Sequence, residues 1–111
     1  MKKSITAVVA AMILTLVLSS VRAWGADAAK GKSVYAAKCQ GCHAPDGSGN
    51  PGIAKAMGVT LEPLGGPAVQ KMSDEEVRNV ITTGKGKMRP VAGVAGADLD
   101  NLVGYIRTLK K

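Results

Sequence analysis

The chain has no phenylalanine, one histidine and two cysteines, and its only aromatic residues are Trp24, Tyr35 and Tyr105. So little ring area excludes a core built on stacked aromatics. It also removes the base-stacking platforms that single-stranded nucleic-acid binders use. Charge of one sign is thin too. The formal net charge is +7, from 15 Lys/Arg against 8 Asp/Glu, and the basic residues are scattered rather than clustered. No nucleic-acid partner is expected. At 46% hydrophobic residues the chain is not a disordered tail, and 111 residues bound it to one small domain.

A long apolar run is missing as well. Residues 5–18 form the longest one, short for a membrane-spanning helix. Lys2 and Lys3 precede it, and the small residues Ala23, Gly25, Ala26 and Ala28 follow. This is the three-part layout of a secretory signal. Residues 1–25 are therefore expected to be an export signal, cleaved somewhere between 23 and 28. Residues 26–111 are then the exported domain, at about +4 with 12 basic and 8 acidic residues. Left uncleaved, the same segment would be an N-terminal membrane anchor.

What remains is poor in large core side chains and rich in glycine. A domain of roughly 85 residues buries only about 60% of its unfolded surface, and often needs a staple or cofactor. The residue types otherwise scarce are gathered in one place: Cys39, Gln40, Gly41, Cys42 and His43. C-x-x-C-H is the attachment signature of c-type haem. Two thiols three apart add to the two vinyl groups on one porphyrin edge, and the next imidazole lies beneath the iron. A Cys39–Cys42 disulfide leaves His43 without a role. A thioredoxin-like dithiol needs a βαβ frame, which is not readable here. Zinc would need four ligands where three lie together.

With His43 as the sole histidine, bis-histidine ligation within the chain is impossible. Methionine, lysine, water or an open position are left for the sixth site. Three methionines lie beyond the leader. Met72 precedes the capping box Ser73-Asp74-Glu75-Glu76 and forms a hydrophobic staple with Val77. Met57 belongs to a short apolar segment suited to packing on a porphyrin. Met88 lies in Gly84-Lys85-Gly86-Lys87-Met88-Arg89-Pro90, a loop held by two glycines and a proline.

Helical periodicity runs through the rest. Gly31 and Tyr35 share one face of a first helix, where Gly31 leaves room for a second helix to cross closely. Val77, Val80 and Ile81 form another stripe, ended at Gly84. Leu99, Leu102, Val103, Ile106 and Leu109 form the clearest one, followed by Lys110 and Lys111, which complement its dipole. Gly104 within it costs about 1 kcal/mol relative to alanine. No strand-period alternation appears, and residues 44–51 and 61–67 read as turn-rich loops. The expected class is all-α.

These residues resemble the class I cytochromes c, the small mono-haem electron carriers of bacteria and algae, over nearly the whole exported domain. Gly31 and Tyr35 match a glycine and an aromatic on the family's N-terminal helix. Cys39, Cys42 and His43 match its haem element, and Leu102, Tyr105 and Ile106 match its C-terminal helix. The family's G-K-G-x-M-P loop resembles residues 84–90, which makes Met88 the implied axial ligand. Pro51 falls where a proline carbonyl often meets the second ring nitrogen of the histidine. Two departures stand out: Arg89 separates Met88 from Pro90, and Ala95 replaces a common serine cap. The resemblance implies a small cytochrome c fold of three to five helices wrapped around one covalent haem c, held through Cys39 and Cys42.

The expectation is a periplasmic electron carrier, not an enzyme, with iron between His43 and Met88 and no vacant position for substrate. It would be monomeric and shuttle single electrons between respiratory redox proteins. Lys85, Lys87 and Arg89 around Met88 would steer it to acidic docking surfaces. Two alternatives are a haem subunit tethered to a larger membrane-associated complex, and a haem enzyme or gas sensor should Met88 not reach the iron.

Overall fold

The N-terminal and C-terminal helices of the domain cross where a glycine lets their backbones meet. In the computed structural model, which describes residues 26–111, α1 spans Ala28–Lys38 and α6 spans Gly96–Thr108, and these two pack most extensively on each other. A Cβ at Gly31 would sit 1.9 Å from the Asn101 carbonyl oxygen and 2.9 Å from Tyr105 Cβ. No other residue type fits there. Gly104 has an analogous reason: its Cβ would lie 2.8 Å from Ala26 Cβ. The helix-propensity cost of that glycine is the cost of the close approach.

Between them lie α2, Gln40–His43; α3, Pro51–Met57; α4, Pro67–Gln70; and α5, Asp74–Thr83. Four of the six helices among the described residues run seven residues or more, and α2 and α4 are single turns of four. The all-α expectation holds: among the described residues, strand-like pairing is limited to one isolated bridge, Lys85 with Met88.

The ends of these helices follow local chemistry. Asp27 caps α1 by accepting from the Lys30 amide, and Asn50 caps α3 ahead of Pro51 at the first position. Ser73 and Glu76 form the reciprocal capping box of α5. At Ala95 no side chain caps α6, as the alanine implied.

Tyr35, Val77, Ile81, Val94, Leu102, Val103 and Ile106 form the buried core. Met72 packs against this cluster, which contains its staple partner Val77. The core thus sits at the α1–α5–α6 junction, and its Val77, Ile81 and Ile106 also line a cavity. No helix among the described residues is long and apolar enough to cross a membrane. The proposed export signal over residues 1–25 lies outside the described residues.

Candidate functional site

Every residue expected at the haem borders one cavity of about 860 Å³: Cys39, Cys42, His43 and Met88, with Met57 and Met72 besides. Pockets for cofactors run to about 300–1,000 Å³. The lining is overwhelmingly apolar, supplied by Ile53, Leu61, Leu64, Val69, Val80 and Ile106 among others.

The C-x-x-C-H segment is a single helical turn braced from both sides. The His43 amide donates to the Cys39 carbonyl at 3.0 Å, which sets Cys39, Cys42 and His43, at i, i+3 and i+4, on one side of a single turn. Its outward carbonyls are met by the following loop: the Gly49 amide donates to His43 O at 2.8 Å and the Asn50 amide to Cys42 O at 2.9 Å. Ala44 ends the turn with φ +65°, a left-handed value uncommon for alanine. The buried Tyr35 hydroxyl donates to the Ala44 carbonyl and fixes that corner, while its ring lies 5.2 Å from the Tyr105 ring, centroid to centroid. Tyr35 therefore ties the haem turn to the α1–α6 crossing.

Burial holds His43 below its ordinary value of 6.5, so the ring is neutral at pH 7, as a metal ligand must be. Its Nδ1 is buried and has no hydrogen-bond partner. This corrects one implication of the family resemblance: the Pro51 carbonyl does not meet the second ring nitrogen. Pro51 is the first residue of α3, where its carbonyl runs along the helix axis into the next turn. Cys39 and Cys42 are not joined to each other in a disulfide. Burial first, then the neighbouring Cys42, pushes the Cys39 thiol up to about 11.

Met88 is held by a tight two-residue hairpin. Lys85 and Met88 exchange amide-to-carbonyl hydrogen bonds, both 3.0 Å, around Gly86 and Lys87. Gly86 has φ +58°, as the first central position of a II′-like turn requires. Gly84 lies beneath: a Cβ there would be 2.6 Å from Met88 O and 3.0 Å from Pro90 Cδ. The extra Arg89 is thus accommodated with Met88 still bordering the cavity. Met88 is half-buried, Met72 is packed on the core, and Met57 is 37% exposed beside the cavity. Lys85, Lys87 and Arg89 are all exposed at the cavity margin, and the Lys87 ammonium donates to the Met57 carbonyl.

The sequence pattern missed two contributors. Gln70 and Arg107 knit α4, α6 and the loop before α5 together. The one available sign was a long cation set within the otherwise apolar face of the last helix.

The pieces fit a covalent haem. Two thiols, a neutral imidazole and a thioether border one largely apolar volume, the donor set and lining that a covalent haem takes. Among the described residues no three His, Cys, Asp or Glu are grouped to hold a bare metal ion.

An all-α shell around an apolar cavity, opened by a C-x-x-C-H turn and faced by a methionine loop, defines a class I c-type cytochrome. Residues 26–106 match the profile of the family described as cytochrome c oxidase, cbb3-type, subunit III, and the chain belongs to this family of cytochrome c domains. It is 30% identical over 110 residues to a cytochrome c6 of Picosynechococcus, covering 94% of this chain and 92% of that one. It is also 34% identical over 89 residues to cytochrome c-554(547) of Halothiobacillus neapolitanus, covering 76% of this chain and 98% of the other. A cytochrome c6 of Cyanidioschyzon merolae is 29% identical over 94 residues, 85% of this chain and 86% of that protein. Among solved structures, the KustC0563 c-type cytochrome superposes with a TM-score of 0.60 at 26% identity, over 73% of this chain and 98% of its own.

Proposed function

We propose that this chain is an exported electron carrier in which His43 and Met88 hold one haem c, joined through thioethers to Cys39 and Cys42. The observation that carries the reading is the convergence of these four side chains, from α1's end, α2 and the 84–90 hairpin, on one apolar cavity. Haem bound there supplies a one-electron ferric/ferrous couple. The chain's part is to hold and tune it. His43 presents a neutral ring on a turn braced by Gly49, Asn50 and Tyr35. The hairpin holds the Met88 thioether at the cavity, and a neutral sulfur favours the ferrous form relative to a second imidazole. The apolar walls would limit water at the iron, and with His43 and Met88 both holding it the site would leave no position for substrate. Single-electron exchange with redox proteins is the chemistry that such a site supports.

Lys85, Lys87 and Arg89 rim this cavity and would steer acidic partner surfaces. The decisive experiment is the optical spectrum of the matured protein, ferric and ferrous, against Met88→Ala. The expected result is a weak far-red ferric band of methionine–iron coordination that Met88→Ala loses. A high-spin wild-type spectrum, or no change in the variant, overturns the axial assignment and favours a ligand-binding haem protein. The match to a family described by an oxidase subunit supports a second reading, a haem subunit tethered through an uncleaved leader. An N-terminus still at Met1 in a membrane fraction would establish it.

A further inference from the structure

Two side chains cross between the last helix and one wall of the cavity, in opposite directions. Gln70, the final residue of α4, donates through Nε2 to Leu64 O at 2.8 Å and to Ile106 O at 3.0 Å. Arg107, the next residue along α6, donates back. Its Nη1 reaches Gln70 O at 3.2 Å and Val69 O at 3.5 Å, and its Nη2 reaches Met72 O at 2.6 Å. Nε and Nη2 both meet Asp74 Oδ1, at 3.1 and 2.9 Å, which fixes the plane of the guanidinium.

The segment so gripped cannot hold its own shape. α4 is one turn, far below the length at which a helix is stable unaided, and its last carbonyls have no partners within it. Those carbonyls belong to the stretch that turns Val69 and Met72 toward the cavity, where Ile106 joins them. A cation at a helix C-terminus is favourable by charge alone. Only a planar fork, though, meets three carbonyls and a carboxylate together, and the single ammonium of lysine does not. Among the described residues the other ion pair between α5 and α6, Arg78 with Asp100 at 2.9 Å, touches no cavity-lining carbonyl.

We propose that Arg107 is a positioning residue for the haem wall: its guanidinium fork, oriented by Asp74 and answered by Gln70, locks residues 67–72 against the cofactor and keeps water from it. The inference rests on the cavity being the haem crevice. Water at the haem favours the ferric form, which carries the extra positive charge, so loosening this wall lowers the midpoint potential.

The test compares matured wild-type protein with Arg107→Lys, Arg107→Gln and Arg78→Gln by redox titration, optical spectrum and amide hydrogen exchange. Both Arg107 variants are expected to raise the ferric-to-ferrous ratio at fixed ambient potential about threefold or more, with faster exchange across residues 68–72. The far-red band should persist and Arg78→Gln should leave the ratio unmoved. A wild-type ratio in Arg107→Lys shows that charge, not the fork, matters and overturns the proposal. So does an unmoved ratio in Arg107→Gln accompanied by a lower Tm alone, or an equal shift in Arg78→Gln. If the Arg107 variants fail to mature, Asp74→Asn carries the same test with the same direction. Wild-type protein purified without covalent haem overturns the haem reading and this inference with it, whereas a haem-loaded wild type with unmoved variants overturns the inference alone.

Discussion

Tyr35 serves two purposes with one side chain. Its ring fills the α1–α6 junction, and its hydroxyl satisfies the Ala44 carbonyl at the end of the haem turn. Tyr35→Phe keeps the ring and strands that carbonyl, which costs about 1–3 kcal/mol. Chemical denaturation of the two proteins measures it. Burial first, and the Cys39 thiol second, pushes the Tyr35 phenol up to about 12 from an ordinary 10. The native state therefore favours the neutral phenol. That stabilisation is complete below pH 10, and is lost as pH rises through the window from 10 to 12. The stability of wild type should fall more steeply across that window than that of Tyr35→Phe, as followed by denaturant titrations at stepped pH. Identical pH profiles would show that the phenol is not held neutral by the fold.

At the scale of elements, the crossing of α1 and α6 is the least forgiving contact. Gly31→Ala places a methyl group 1.9 Å from the Asn101 carbonyl oxygen, and the helices must separate to admit it. A loss of about 3 kcal/mol is expected, measurable as a shift in denaturation midpoint, while an unchanged midpoint would contradict the geometry. This crossing was legible in the sequence because Gly31 and Tyr35 share a helix face and the last stripe needed a partner. The capping box and the stripes of α5 and α6 were legible for the same reason: their signals are local and periodic. The walls were not. Leu61, Leu64 and Val69 lie in turn-rich sequence with no period, and α4 exists through contacts made from α6. The Pro51 carbonyl was misplaced for a related reason. Spacing along the chain puts it near the histidine, but a helix start fixes where the carbonyl points. Spacing alone also left three methionines, and all three border the cavity: Met88 on the hairpin, Met72 packed on the core and Met57 exposed.

For the whole molecule, the polypeptide's own core is small. Among the described residues, seven buried hydrophobic side chains make a small interior beside an apolar cavity of about 860 Å³. With haem proposed to fill the cavity through Cys39 and Cys42, Cys39→Ala with Cys42→Ala is expected to yield a chain that keeps little fixed tertiary structure at 25 °C. Near-UV circular dichroism reads this directly, and a well-packed spectrum from the haem-free variant would show that the polypeptide closes its own core. Charge acts at the same scale. The exposed Lys85, Lys87 and Arg89 cluster on one margin of the cavity. Replacing all three by glutamine should slow electron exchange with an acidic partner about tenfold at low ionic strength, and flatten its salt dependence. Stopped-flow rates from low to high salt test this, and an unaltered salt slope would remove docking from the role of these residues.

The pairing of the first and last helices also joins the two ends of the domain. The Cys39–His43 turn precedes Gly96–Thr108 in the chain, and α1 finds its main packing partner only in that last helix. A chain stopped before residue 96 would leave α1 without the helix it packs on most extensively, so the C-terminal residues hold the N-terminal end of the site in place.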